Sequence, residues 1–115
     1  MNVKINDIFF KTKVLIDKKS QAQGMMGRDF DETFDALLFL MGDDRQCFWM
    51  KNCIISLDII IIHNNTIMKI HHDCPPCEEE PCEKYCGKGN IVLELGGGTC
   101  QEFSIEEGDF VEYVF

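Results

Sequence analysis

Residues 57–62, Leu-Asp-Ile-Ile-Ile-Ile, form the most β-prone stretch of the chain, and they run into His63-Asn64-Asn65. Consecutive β-branched side chains favour a pleated strand over a helix. Asparagine tolerates the left-handed backbone of a tight hairpin turn, so residues 66–70 are expected to pair back on this strand. The same patterning recurs along the chain. Ile8, Phe10, Thr12, Val14 and Ile16 share one face of a strand, with Lys11 and Lys13 on the other. Residues 36–41 are continuously apolar, as in a strand buried on both faces. Gly42-Asp43-Asp44 turns the chain, and residues 46–50 return as a strand. Ile91, Leu93 and Leu95 alternate with Val92 and Glu94. A turn at Glu106-Glu107-Gly108-Asp109 leads into a last strand on which Val111, Tyr113 and Phe115 share a face. Val3 and Ile5 alternate with polar residues as a short edge strand. One helix is expected, with Asp17 as its N-cap, a buried stripe of Ala22, Met25 and Met26, and Gly27 as its end. The paired methionines are read as core filling. This pattern predicts a mostly β fold: one domain over residues 1–115, an antiparallel β-sandwich or partly closed barrel with one short helix.

Charge narrows the function. Twenty acidic against eleven basic residues give a net charge of −9, which repels phosphate backbones and anionic membranes. No nucleic-acid or membrane partner is expected. The longest purely apolar run, residues 36–41, is far too short to span a bilayer. No leader precedes the first strand, so a cytoplasmic, reducing location is the default expectation, and it weighs against disulfides.

Seven cysteines are present, an odd number, and Cys74, Cys77, Cys82 and Cys86 crowd into one loop. Four soft ligands there suit zinc, the one cofactor this sequence suggests. Glu78, Glu79, Glu80 and Glu83 oppose it, because nearby carboxylates disfavour thiolates. Metal ligation, disulfides and free thiols therefore all stay open. His63, His71 and His72 add possible ligands, although His71 and His72 point to opposite faces of a strand. Gly96-Gly97-Gly98-Thr99 lacks the Lys-Ser/Thr of a nucleotide loop and reads as a turn with no helix after it. No serine lies in Gly-x-Ser-x-Gly, so hydrolase chemistry of that type has no support.

Three segments occur in the order and spacing of a known family: Gly24-Met25-Met26-Gly27-Arg28, Phe48-Trp49-Met50-Lys51-Asn52 and Ser56-Leu57-Asp58-Ile59-Ile60. Pro75-Pro76-Cys77, Pro81-Cys82, Val92-Leu93-Glu94-Leu95, Gly98-Thr99 and Gly108-Asp109 extend the match. From about Val14 onward the chain resembles the bacterial and archaeal family called domain of unknown function 192. The resemblance implies a small all-β sandwich or barrel-like domain, and no activity. Within the disulfide reading it favours a Cys77–Cys82 pair. Cys74 and Cys86 depart from the family pattern by doubling the thiols of this loop.

Arg28, Trp49, Lys51, Asn52 and Asp58 are the candidate ligand-binding residues. Converging, they would form a small polar pocket with Trp49 as its apolar wall. The structural alternative buries Trp49, so that Trp49→Ala costs roughly 3–5 kcal/mol. It also pairs Asp58 with Lys51 or, preferably, with the bidentate guanidinium of Arg28. The expected function is a non-catalytic binding or interaction module for a small polar ligand or a protein partner. The alternative is a thiol or zinc protein working through residues 74–86. No catalytic residues are assigned.

Overall fold

The computed structural model describes residues 1–42 and 44–115, so Asp43 of the expected Gly42-Asp43-Asp44 turn lies outside the described residues. In chain order the elements are β1 (Asn2–Ile5), β2 (Ile8–Leu15), α1 (Lys18–Gln23), β3 (Ala36–Leu40), β4 (Arg45–Trp49) and β5 (Leu57–His63). They continue with β6 (Thr66–Cys74), β7 (Lys84–Lys88), β8 (Ile91–Gly96), α2 (Thr99–Glu102) and β9 (Glu112–Val114). The asparagine hairpin forms as expected: Asn64 and Asn65 hold φ of 50° and 60°, and His63 faces Thr66 across the turn.

Seven strands make one sheet in the order β6-β5-β8-β3-β2-β1-β9. The sheet curls until its two ends meet. Ile67 N–H donates to Asp109 C=O at 2.9 Å and Val111 N–H to Asn65 C=O at 2.7 Å, joining β6 to the segment before β9. The mostly β, partly closed barrel is therefore the architecture. β4 and β7 form a separate two-stranded ribbon.

Four local expectations need correction. β1 is no edge strand, because it pairs with both β2 and β9. β2 and β3 are parallel, which demands a crossover, and residues 16–35 with α1 supply it. A second helix, α2, follows the glycine triplet. α1 is also shorter than expected. Asp17 caps its start by accepting from Ser20 N–H at 3.0 Å, but the chain leaves the helix at Gly24, where φ is 47°. Ala22 is exposed, and Met25 and Met26 lie beyond the helix rather than on a helical stripe.

Both faces of the central strands are covered, which is why β3 and β5 read as unbroken apolar runs. Alternate residues Ala36, Leu38, Ile60, Ile62, Leu93 and Leu95 point into the curl and pack with Val3, Ile5, Phe10 and Val111. Their neighbours Leu37, Phe39, Ile59, Ile61 and Val92 point outward into a second core with Met25, Phe34, Met50 and Cys53. The crossover and the segments flanking β4 are the lid of that second core.

Candidate functional site

The lid does not close completely. Between the end of α1 with Met25 and Met26 on one side, and Phe48 and Trp49 on the other, lies a groove of about 310 Å³. Gly24, Phe39, Met41, Cys47 and Cys53 complete its apolar part, and Lys18, Gln21 and Gln23 border it. Phe39 and Phe48 pack edge to face, with ring centroids 4.8 Å apart. Trp49 is 39% exposed, so its indole is a wall of the groove and not part of the core. The expected burial of Trp49 is thereby corrected: β4 sits in a ribbon whose outer positions meet solvent.

Glu94 lies on the groove lining and is only 3% exposed. Strand parity puts it there. On β8, Leu93 and Leu95 point into the curl, so Val92 and Glu94 face the second core, with Glu94 held between Leu37 of β3 and Ile59 of β5. Its Oε1 has no hydrogen-bond partner; Tyr113 Oη is the other such buried side-chain atom among the described residues. Burial pushes the Glu94 carboxyl up to about 8. Cys53 shares the groove, and burial followed by the nearby Glu94 charge pushes its thiol up to about 11. A carboxyl group in such a place can bind a donor or exchange a proton. Sequence reading missed it. The usable signal was an acid inside Val92-Leu93-Glu94-Leu95, on a strand covered on both faces.

The five candidate residues do not converge. Trp49 alone among them borders the groove. Arg28 places its guanidinium over the Phe34 ring, 5.1 Å from the centroid. Lys51 Nζ donates to Glu78 C=O at 2.9 Å, tying the cysteine loop down. Asn52, at φ 60°, links two segments through its backbone: its N–H donates to Cys77 C=O and its C=O accepts from Gly27 N–H. Asp58 is fully buried and meets neither Arg28 nor Lys51. Its Oδ1 accepts from Asp73 N–H at 2.7 Å and Gly98 N–H at 3.1 Å, and its Oδ2 from Cys100 N–H at 2.8 Å. The expected ion pair is replaced by backbone donors, one on β6 and two at the start of α2, a helix with no side-chain cap of its own. A carboxylate with three N–H partners needs no cation. Gly97 allows this close approach, since a Cβ there would collide with Asp73 and Ser56.

The four loop cysteines are not gathered around one point either. β7 sets Cys86 opposite Cys47 of β4, and these two are joined as a disulfide with Cα atoms 4.0 Å apart. Cys77 and Cys82 form a second bridge across five residues. Cys74 ends β6 with its thiol buried in the second core, pushed up to about 11 by burial and the Asp58 charge. The zinc arrangement is thus corrected to two bridges and a core thiol. No group of three potential metal-binding side chains occurs among the described residues. His71 Nε2–H donates to Cys86 C=O, 2.8 Å away, and does not join a thiol cluster.

No curated protein matches the chain significantly. In fold it is similar to a protein of unknown function from Novosphingobium aromaticivorans DSM 12444. The TM-score is 0.84 at 28% identity, over 98% of this chain and 84% of that one. It is similar also to a Sinorhizobium meliloti 1021 protein described as a "putative transcription regulator". There the TM-score is 0.83 at 25% identity, over 96% of this chain and 89% of the other. The family model of DUF192, described as "Uncharacterized ACR", matches residues 1–113. With that match over nearly its whole length, the chain belongs to the family of domain of unknown function 192.

Proposed function

We propose that this domain is a non-catalytic binding module that holds a small molecule in the groove between Met25-Met26 and Trp49. One observation carries the reading: the groove is lined by a buried carboxyl group, Glu94, with an unpartnered oxygen. Burying such a group without a partner costs stability, and a leucine there would pack better. A ligand that brings a donor removes that cost. Methionine and aromatic walls with a single deep polar group are the usual make-up of a small-molecule site. The volume, near 310 Å³, is at the small end of that class. Direct contact with nucleic acid is opposed by the net charge of −9.

The test is a fragment screen read by backbone amide chemical shifts. Binders should move the amides of Met25, Met26, Trp49, Cys53 and Glu94 together. Shifts confined to residues 74–86 would overturn the reading and favour chemistry in the cysteine loop.

A further inference from the structure

Resting on that groove, we infer that its ligand is a small organic amine, bound as a cation with its ammonium on the Glu94 carboxylate and its apolar body against Met25, Met26, Phe48 and Trp49. The charge of the head group follows from what surrounds Glu94. The elements packed against it offer Leu37 from β3 and Ile59 from β5, both apolar. The titratable groups facing it are the thiols of Cys53 and Cys74, which stay neutral at physiological pH. Lys18 is the only cation bordering the groove among the described residues, and it is exposed, so solvent screens it. Glu94 takes part in no ion pair among the described residues. A neutral alcohol would satisfy one lone pair. An ammonium satisfies it and also neutralises the buried charge, the larger of the two penalties. The domain's net charge of −9 draws cations and repels anions at long range.

Proton linkage follows. Free Glu94 is protonated at pH 6, because burial holds its carboxyl up to about 8. An ammonium needs the carboxylate, so binding at pH 6 releases about one proton, and affinity rises about tenfold per pH unit until pH 8, where it levels off.

The experiment titrates the protein with n-hexylamine, 1-hexanol and hexanoate, three probes of one shape and different charge. Trp49, the only tryptophan, reports occupancy by fluorescence. At pH 8, n-hexylamine should bind at least tenfold more tightly than 1-hexanol, and hexanoate not detectably. Glu94→Gln should abolish the advantage of the amine over 1-hexanol. Calorimetry of n-hexylamine at pH 6, in two buffers of different ionisation enthalpy, measures the proton on unaltered protein and needs no variant to fold. Hexanol binding as tightly as hexylamine, or amine binding with no proton released, would overturn the amine assignment and leave the groove standing. Silence from all three probes would overturn the groove as well.

Discussion

Asp58→Asn is the substitution whose cost the structure defines best. Both carboxylate oxygens are used: Oδ1 accepts from two backbone N–H groups and Oδ2 from a third. An asparagine offers one oxygen and one NH2. Its better orientation keeps the oxygen on Asp73 and Gly98, and then the amide NH2 faces Cys100 N–H, donor against donor. Two buried donors are left without partners, each worth about 1–3 kcal/mol, and the surviving bonds lose their charge assistance. The opposite orientation is worse, since the NH2 then confronts two N–H groups. The expected loss is about 3–5 kcal/mol, a large share of a small domain's total stability. Urea denaturation of wild type, Asp58→Asn, Arg28→Ala and the double mutant measures it. Arg28 rests on Phe34 and makes no contact with Asp58, so the two changes should add to within about 0.5 kcal/mol. A loss below about 1 kcal/mol, or strong coupling to Arg28, would refute the account of Asp58 as the cap of α2.

Glu94 should leave a pH signature in stability. Its carboxyl is raised from an ordinary 4.5 to about 8 in the folded state, so the unfolded chain ionises first. Glu94's contribution is full below pH 4.5, falls with a one-proton slope as pH rises to about 8, and is flat beyond. Glu94→Gln should remove that slope and be the more stable protein at pH 8; an unchanged slope in denaturation series at pH 5, 6.5 and 8 would contradict it. Trp49→Ala should change stability by less than about 1 kcal/mol, as expected for a half-exposed wall, while weakening groove ligands; thermal melts and titration check both. Unfolded without reductant, the chain should expose three alkylatable thiols, Cys53, Cys74 and Cys100, and mass spectrometry should find the other four protected. In the native state those three should react slowly, because burial raises each thiol and keeps it protonated.

The fold was legible where local chemistry dominates. Asn64-Asn65 specifies its hairpin by the backbone each asparagine accepts, and Asp17 its cap by a side-chain oxygen near the next turn. The parallel β2–β3 pair was not legible. Alternation tells which face a residue takes and says nothing of which strand lies alongside. Chain length between strands was the available clue: residues 16–35 separate β2 from β3 by far more than a hairpin needs, and only a crossover uses such a span. The helix end was misplaced because two glycines competed for it. Gly24 comes first, and with φ of 47° it takes the chain out of the helix before either methionine.

The candidate site depends on that same crossover, which explains why the sequence hid it. Residues 16–35 pass over the outer face of β3 and β8, carrying Met25 and Met26 onto the face where Leu37, Val92 and Glu94 point. Had β2 and β3 been joined by a hairpin, that face would meet water and Glu94 would be an ordinary solvated acid on an alternating strand. The Cys47–Cys86 bridge then fastens the β4–β7 ribbon that carries Phe48 and Trp49 to the other side. Polar residues beside apolar strands looked like a pocket in the sequence, yet Arg28, Lys51, Asn52 and Asp58 spend their groups on an aromatic ring and on backbone. Asp58 in particular has both carboxylate oxygens satisfied within the fold and calls for no ligand. Glu94 is the reverse case: its apolar neighbours on the strand mark it as a buried acid, and its unsatisfied oxygen exists only because a remote segment was folded across it.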